Sequence, residues 1–522
     1  MSSVSVSPLS MSPVSLSSGT VLGHRVDGVH EFLGIPYAAP PVGERRWRAP
    51  APVPPWDGER DCTGYGAVCP QPPAPPGVFE PLSTDLSRIG DDCLNLNVWT
   101  PDPTMGATGP GLPVLVWIHG GAFWFGSGTE QVYRGASFAR HGVVTVTINY
   151  RLGAEGFMYL DELFPELAAG GSLGLQDQLA ALRWVRENIA AFGGDPGRVT
   201  VAGESAGAMS VAALLATPAR AGLFTQAIVQ SSPGNNTVSP ATASMIAGHV
   251  LELLGIAPGD TEALLAVDPA ALLAAQQTVL EEIVTAPTPE RFGEAAAAPM
   301  PFVPVHGTDL LPARPLDAVR AGVAADVRVL AGSNAEECLI MMVGAEDVIT
   351  DDLVEAGLDA FLAPAGGSGR QAAQVYRERL DGAAPHEVHA ATITDRMFRV
   401  PHYRLADAQA AHNPDLWVYE FAWRSGIPGY GSGHFMEVPF VFHTLDSKEG
   451  VGLCGPGAPA ELADLVHEVW VAFIDGGEPG TARLPAWVRW TPAEQRLMVL
   501  DRQPRLSGDP RPAETKVWEA VL

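Results

Sequence analysis

Basic residues, and lysine above all, are scarce in this chain. Its 522 residues include 32 lysines and arginines against 59 aspartates and glutamates, and only Lys448 and Lys516 are lysines. The net charge of −27 argues against nucleic acid and anionic membranes as partners, because phosphate groups are bound by clustered lysine and arginine. The many arginines, alanines, glycines and prolines are typical of GC-rich bacterial coding, and the acidity itself is typical of a well-solvated surface.

Cysteine and long apolar runs are also rare. Five cysteines, an odd number, are expected of an intracellular enzyme rather than of a secreted disulfide scaffold. No CxxC pair and no HExxH helix occurs, so the sequence predicts neither a metal nor another cofactor. No run of about 18 apolar residues occurs, which argues against a transmembrane helix. The serine-rich segment 1–18 lacks the features of a secretory signal, so we expect a flexible lead-in and a cytoplasmic protein.

Strand-like runs alternate with amphipathic helices through much of the chain. The predicted strands, most of them ending at a turn or glycine-rich loop, are Pro113–Ile118, Val143–Ile148, Val199–Ala202, Gln226–Gln230, Val327–Ala331 and Leu416–Phe421. Apolar residues from Leu175 to Phe192 recur at helical spacing and predict a helix packed on the sheet. The pattern is typical of an α/β protein with a mostly parallel sheet and helices on both faces. We expect one domain over residues 19–522, with a helical subdomain around 241–284.

Proline is concentrated in the short segment Cys69–Gly77, which contains five prolines. Because proline fixes its φ angle and has no backbone N–H to donate, this segment is expected to be an extended surface loop. A role as the ligand of a proline-binding module is a minor alternative.

The strongest chemical signal is a serine between two glycines, in Gly203-Glu204-Ser205-Ala206-Gly207. In a chain with 56 glycines, one such pattern could easily occur by chance, so the pattern alone is weak evidence. Its context makes it specific, because a predicted strand runs into Gly203 and a helix is expected from Ala206 onward. Ser205 would then project from a strand-to-helix turn, where the helix N-terminus favours a developing oxyanion. Glu204 is expected to point away from Ser205 and to be paired internally.

A second glycine loop, His119-Gly-Gly-Ala-Phe123, follows the predicted strand Pro113–Ile118. An ordinary glycine turn would explain it. Together with the serine turn, however, it predicts an oxyanion hole formed by the backbone N–H groups of Gly120, Gly121 and Ala206. His119 is expected to support this loop rather than to transfer protons.

Several ordered motifs give the chain a family resemblance over nearly its whole length. They are Phe32-Leu-Gly-Ile-Pro-Tyr-Ala38, Asp92-Cys-Leu-Asn-Leu-Asn-Val-Trp99, Asn149-Tyr-Arg-Leu-Gly153, Phe192-Gly-Gly-Asp-Pro196, the serine motif, and Gly433-His-Phe-Met-Glu-Val-Pro-Phe-Val-Phe442. With them the chain resembles the type-B carboxylesterases, the α/β-hydrolase family that also contains the cholinesterases. The resemblance implies the α/β-hydrolase fold, helical insertions over the active site, and hydrolysis of small-molecule carboxylic esters through an acyl-enzyme on Ser205.

The resemblance also implies the partners of the serine. His434, after the predicted strand Leu416–Phe421, matches the family's catalytic histidine. Glu337 matches its acid, but Cys338 replaces the glycine that usually follows, which leaves Glu336 as an alternative. Cys69 and Cys93 match the position of a disulfide of many secreted relatives, and free thiols are an equally open alternative.

Three consecutive aromatic residues, Phe123, Trp124 and Phe125, are expected to line the substrate pocket by resemblance, with core packing as the alternative. An apolar, aromatic pocket favours short-chain or aryl esters over ionic ones. Two other functions stay open: a lipase-like hydrolase of longer acyl esters, and a non-catalytic, cholinesterase-like interaction protein. The sequence does not indicate the oligomeric state.

Overall fold

The computed structural model describes residues 10–82, 84–105, 109–167, 169–232, 234–519 and 521. Among these residues, 13 strands form one sheet in the order β1-β2-β3-β5-β7-β6-β8-β9-β10-β11-β12-β13, and β4 pairs with β2. The strands are β1 (Ser10–Leu16), β2 (Gly19–Val26), β3 (Val29–Pro36), β4 (Glu59–Asp61), β5 (Asn95–Thr100), β6 (Leu112–Ile118), β7 (Val144–Ile148), β8 (Gly194–Glu204), β9 (Gln226–Gln230), β10 (Arg328–Asn334), β11 (Leu416–Phe421), β12 (Leu497–Leu500) and β13 (Arg505–Ser507).

Helices cover the sheet. They are α1 (Ala136–Arg140), α2 (Gly153–Phe157), α3 (Leu173–Asn188), α4 (Ala206–Ala216), α5 (Pro240–Leu254), α6 (Thr261–Ala266), α7 (Pro269–Thr285), α8 (Pro289–Phe292), α9 (Pro315–Arg320), α10 (Asp351–Leu362), α11 (Gly369–Arg379), α12 (Pro385–Thr394), α13 (Val400–Ala410), α14 (Val438–Val441), α15 (Lys448–Cys454), α16 (Ala460–Gly476) and α17 (Pro512–Trp518). A π-helical turn, Asp395–Arg399, joins α12 to α13. No described helix is long and apolar enough to cross a membrane.

The central strands run parallel, from β7 through β6, β8, β9, β10 and β11 to β12. Their side chains are almost all buried because helices lie on both faces, and this is why the sequence shows continuous apolar runs here. The parallel strands β6, β8, β10 and β11 end at the same edge of the sheet. The loops that follow these four strands therefore meet there, and they carry the residues singled out in the sequence.

The predicted parallel sheet is confirmed, and each of the six predicted strands is present. The segment around 241–284 contains the helices α5, α6 and α7. The helix predicted from the apolar repeat is α3, with Leu175, Leu179 and Leu182 fully buried.

The expectation of a flexible lead-in over residues 1–18 is wrong for Ser10–Leu16. This segment is β1, which pairs antiparallel with β2 along its whole length, from Ser10 opposite Arg25 to Leu16 opposite Gly19. Ser12 and Val14 are buried while their neighbours are exposed. The alternation of one inward and one outward side chain is that of an edge strand. It was concealed in the sequence because the polar Ser12 lies inward while the apolar Met11 lies outward. Residues 1–9 of the predicted lead-in lie outside the described residues.

A buried ion pair anchors the start of α2 to α3. Arg151 bonds Asp177 through Nη2–Oδ1 at 2.7 Å and Nε–Oδ2 at 2.8 Å, and its backbone N–H donates to Oδ2 at 3.0 Å. The side chains are 2% and 0% exposed. We expect Asp177→Asn to lower the free energy of unfolding by about 3–5 kcal/mol, because it leaves the Arg151 charge buried without a partner.

The control for this prediction is the exposed pair between Arg198 and Asp475, which has a similar N–O distance of 2.7 Å. Asp475→Asn should cost less than about 1 kcal/mol, because water solvates both charges. Urea unfolding followed by tryptophan fluorescence measures both variants. Equal losses in the two variants would contradict the importance of burial.

Candidate active site

Ser205 lies at the tight turn between β8 and α4. Its backbone has φ 55° and ψ −124°, a strained conformation for a residue other than glycine. The Ser205 N–H donates to the Gln230 carbonyl at 3.0 Å, which holds the turn against the end of β9. A Cβ atom on Gly207 would lie 2.0 Å from the Ile118 carbonyl oxygen, so only glycine allows α4 to start this close to β6. The sequence-predicted turn is therefore present, with the serine at its apex.

The second glycine loop follows β6 and lies beside the serine turn. A Cβ atom built on Gly120 would be 3.2 Å from Ser205 Cβ, which places the two loops in contact. Gly121 has φ 106°, and a Cβ atom there would be 2.0 Å from the Phe125 carbonyl oxygen. The backbone N–H groups of Gly120, Gly121 and Ala206 donate to no acceptor among the described residues. Three free donors thus stand next to the serine, one of them at the N-terminus of α4.

His119 packs under the glycine loop. It is 1% exposed, its Nδ1 lies 2.7 Å from the Gly120 carbonyl oxygen, and its ring stacks on Tyr150 with centroids 4.5 Å apart. Burial lowers the pKa of His119 to about 4, outweighing the hydrogen bond to Gly120. A neutral, buried imidazole in this position supports the loop.

His434 and Glu337 form a buried hydrogen-bonded pair. His434 Nδ1 lies 2.6 Å from Glu337 Oε2, and the His434 backbone N–H donates to the Glu337 carbonyl at 2.9 Å. The second carboxylate oxygen, Oε1, accepts from the Asn334 backbone N–H at 2.7 Å. Both oxygens of Glu337 are thus held, and His434 is fixed with Nδ1 toward the acid and Nε2 toward the cavity.

Glu336 points elsewhere. Its Oε2 accepts from the Ser432 backbone N–H at 3.0 Å and lies 3.3 Å from Arg424 Nε. Cys338 is fully buried, and its backbone N–H donates to Thr394 Oγ1 at 3.0 Å, so the replacement of glycine is accommodated in the core. Of the two acidic residues left open by the sequence, the structure brings Glu337 to His434.

Two further carboxyl groups surround the histidine, and the sequence did not assign either of them to the site. Glu204 is 1% exposed and paired internally, as expected, but its partner is His434 itself, with Oε1 3.2 Å from Nε2. Glu437 is fully buried and accepts from Asn334 Nδ2 at 2.7 Å and from Gln230 Nε2 at 3.0 Å. Glu437 lies three positions after His434 in the family motif, and its membership of that motif was the signal available for it.

The crowding of carboxyl groups changes the proton affinity of His434. Burial disfavours the charged imidazolium, but the nearby carboxylates, led by Glu204 and Glu337, outweigh it and raise the pKa of His434 to about 9. Burial likewise raises the pKa of Glu204 well above its usual range, although the His434 charge opposes this. The Glu204–His434 pair therefore retains a proton at neutral pH. Ser205 Oγ has no hydrogen bond to another described residue.

A cavity of about 220 Å³ opens over Ser205 and His434. Its aromatic wall is formed by Phe79, Trp124, Phe125, Tyr133 and Phe435. Glu130 also lines it, with Oε1 accepting from Thr84 Oγ1 at 2.6 Å, and burial raises the pKa of Glu130 to about 8. Because Glu130 is mostly protonated at neutral pH, the cavity accommodates neutral ligands.

Of the three aromatic residues expected in the pocket, Trp124 and Phe125 lie on its wall and Phe123 does not. Phe123 is 0% exposed and packs against Phe157 with ring centroids 4.7 Å apart. The physical reason is the backbone, since Ala122 and Phe123 have φ 50° and φ 66° and the turn directs the Phe123 ring into the core. The expectation for Phe123 is therefore wrong, and core packing is correct for this residue.

All five cysteines are buried free thiols in the structure. Cys69 and Cys93 lie side by side and are joined by a hydrogen bond, and burial raises the pKa of Cys69 well above its usual value. Of the two alternatives for this pair, the structure has the unbridged one. No group of three or more histidine, cysteine, aspartate or glutamate side chains in the described part of the chain is arranged to hold a metal ion.

Comparisons with known proteins agree with this geometry. The model of the carboxylesterase family matches residues 10–518. The chain is 37% identical to the para-nitrobenzyl esterase of Bacillus subtilis over 95% of this chain and 96% of that protein. It is 35% identical to the phenmedipham hydrolase of Pseudarthrobacter oxydans, over 93% and 94% of the two chains.

Solved structures give the same result. A PNB esterase structure superposes with a TM-score of 0.84 at 34% identity, over 98% of this chain and all (100%) of that one. A Geobacillus stearothermophilus carboxylesterase superposes with a TM-score of 0.83 at 35% identity, over 97% and 100% of the two chains. The chain thus belongs to the carboxylesterase family and is a carboxylic ester hydrolase with the α/β-hydrolase fold.

Proposed function

We propose that Ser205, His434 and Glu337 carry the hydrolysis as a catalytic triad, with Gly120, Gly121 and Ala206 as the oxyanion hole. The observation that carries this proposal is that the loops after β6, β8 and β11 meet at one cavity. His434, held by Glu337, faces the cavity that contains Ser205, and three free N–H donors border the same serine. A serine hydroxyl needs a base to become a nucleophile, and the base needs an acid that fixes its tautomer.

The reaction has two steps. His434 Nε2 takes the proton of Ser205 Oγ as the oxygen attacks the ester carbonyl, and the backbone N–H groups stabilise the oxyanion. His434 then gives this proton to the leaving alcohol, which leaves an acyl group on Ser205. Water repeats the sequence and releases the acid. Because catalytic hydrogen bonds often tighten only when substrate is bound, the missing Ser205–His434 bond is expected to form in the substrate complex.

We propose short-chain or aryl esters as the substrates that fit the cavity best. The cavity is small and its wall is mostly aromatic. Two acidic residues line it, Glu204 and Glu130, and the carboxyl group of Glu130 is largely neutral because burial raises its pKa. The names of two relatives, para-nitrobenzyl esterase and phenmedipham hydrolase, specify what those proteins hydrolyse, and the first of them names an aryl-containing ester. A panel that varies the acyl chain and the alcohol separately tests this preference.

The panel also separates the alternatives. A lipase-like enzyme would prefer long acyl chains presented as an emulsion over dissolved acetate and butyrate esters. A non-catalytic interaction protein would hydrolyse none of them. We further propose a cytoplasmic location, supported by the five unpaired and buried cysteines, which need no oxidising compartment.

The carboxyl group of Glu204 is expected to set the pH dependence of the reaction. His434 acts as a base only when neutral, and its pKa is raised to about 9 largely by Glu204, so kcat/KM should rise as the pH increases and fall on acidification. Glu204→Gln removes the charge that favours imidazolium. We expect the acidic limb of the kcat/KM profile to move to lower pH by about one to three units, the usual effect of one close charge.

The measurement is kcat/KM for a neutral ester across the acidic and alkaline range, in the parent enzyme and in Glu204→Gln. Glu336→Gln is the matched control, because Glu336 bonds Ser432 and Arg424 rather than His434. The control profile should overlay that of the parent. An unmoved acidic limb in Glu204→Gln, or an equal movement in both variants, would count against this role of Glu204.

A further inference from the structure

A second cavity adjoins the catalytic one. It has a volume of about 770 Å³ and shares two residues, Pro75 and Trp124, with the cavity over Ser205. The shared residues form a partition with one side toward the serine and the other toward the outer cavity. A ligand that extends from the inner cavity into the outer one has to pass these two side chains.

The outer cavity lies between the proline-rich segment and α7. On one side are Pro72, Pro73, Ala74, Pro75 and Pro76. On the other are residues of α7, among them the partly or fully exposed Leu273 and Ala274 and the buried Leu280. Four of the five prolines of Cys69–Gly77 thus form one wall of a trough, so the proline-rich segment, which the triad left unexplained, has a place in the structure. A proline wall is rigid, because each ring fixes its backbone φ.

The trough is apolar with a polar rim. Its walls are made of proline rings and aliphatic side chains, whereas Gln277, Glu281 and Thr285 provide polar groups along α7. Val284, also on the trough, is 66% exposed and adds to its apolar surface. A neutral hydrocarbon gains by covering such a surface, whereas the carboxylate of Glu281 repels a ligand with an anionic end.

We propose that this trough, lined by the proline-rich segment and α7, is an outer subsite that binds the distal, neutral apolar part of an ester substrate. The inference rests on the proposed acyl-transfer function of the Ser205 site and extends it to the substrate class. The carbonyl group lies at Ser205, the adjacent part of the ester fills the inner cavity, and an alkyl or aryl group continues past Trp124 into the trough. Small esters use the inner cavity alone, and longer neutral esters use both.

Two alanines of α7 give a matched pair of variants. Ala274 lines the trough and Ala271 does not, and both are exposed residues of the same helix. Ala274→Phe places a ring inside the trough and narrows it, and Ala271→Phe adds the same ring outside it. The measured quantity is the ratio of kcat/KM for a decanoate ester to that for an acetate ester, with both dissolved below the micellar concentration. A second series varies the alkyl group of the alcohol.

We expect Ala274→Phe to lower the long-to-short ratio by about tenfold, because a methylene group that becomes half buried contributes roughly twofold in kcat/KM and several are displaced. Ala271→Phe should keep the parent ratio. If Ala274→Phe lowers the ratio in the acyl series, the acyl chain of the ester enters the trough. If it lowers the ratio in the alcohol series, the alkyl group of the alcohol does. Either result supports the proposal.

An unchanged ratio in Ala274→Phe in both series, or an equal fall in Ala271→Phe, would overturn the outer subsite. Failure of the underlying function has a different result, since acetate hydrolysis that does not depend on Ser205 would refute the triad whatever the ratio. The melting temperature of both phenylalanine variants is measured as a control and is expected to equal that of the parent. An unchanged melting temperature shows that a lower ratio comes from the ring in the trough and not from a disturbed α7.

Discussion

Ser205→Ala is expected to lower kcat for ester hydrolysis by about 10⁵-fold or more, with a much smaller change in KM. Without the hydroxyl no acyl-enzyme forms, and His434 and Glu337 have no nucleophile to activate. Members of a catalytic triad act as a unit, so the loss of one removes nearly the whole contribution of the three. The remaining rate reflects substrate binding and the oxyanion donors alone.

Ser210→Ala is the matched control for this variant. Ser210 is a buried serine of the same helix, α4, and its Oγ donates to the Ala206 carbonyl at 3.0 Å. It has no part in the proposed reaction, so the variant should stay within a few-fold of the parent kcat. If Ser205→Ala retained ester hydrolysis after purification from an expression host without background esterase, Ser205 would not be the nucleophile.

Glu337→Gln is expected to lower kcat by about 10³- to 10⁴-fold, the usual effect of removing the carboxylate that orients a catalytic histidine. Glu337 Oε2 lies 2.6 Å from His434 Nδ1 and fixes the tautomer that leaves Nε2 free to accept a proton. A glutamine amide group can donate to Nδ1 instead, which would place the imidazole proton on Nε2. The side chain keeps its size, so the fold should be unaffected.

The neighbouring acid supplies a control that differs by one position. Glu336 Oε2 lies 3.3 Å from Arg424 Nε, and in the described part of the chain its carboxylate forms neither a hydrogen bond nor an ion pair with His434. Glu336→Gln should therefore change kcat by no more than a few-fold. Steady-state kinetics of both variants with one chromogenic ester make the comparison. A large loss in Glu336→Gln with normal turnover in Glu337→Gln would reverse the assignment.

Much of the parallel core could be predicted because burial on both faces leaves continuous apolar runs. β9 and β11 begin and end at the predicted residues, Gln226–Gln230 and Leu416–Phe421. β1 could not be predicted from the sequence, because an edge strand buries only alternate residues and the inward positions of this strand include a serine, Ser12. Its alternation became visible only opposite β2.

In the active site, too, some features could be predicted from the sequence and others could not. The positions of Ser205, Gly120 and Gly121 follow from strand ends and glycine loops, which are local properties of the sequence. The direction of a single side chain is not local: Phe123 turns into the core while Trp124 reaches the cavity, because of two consecutive residues with positive φ. The approach of Glu204 to His434 joins residues more than two hundred positions apart, so only the fold reveals it.

Covalent labelling tests the central claim most directly. An active-site phosphonate reacts with an activated serine, and trypsin then releases the peptide Val199–Arg220, which contains both Ser205 and Ser210. Fragmentation in a mass spectrometer locates the adduct within this peptide. We predict one phosphonate per chain, on Ser205, with loss of ester hydrolysis in proportion to labelling. An adduct on another residue, or complete inactivation with Ser205 unmodified, would contradict the proposal that this enzyme works through an acyl-enzyme on Ser205.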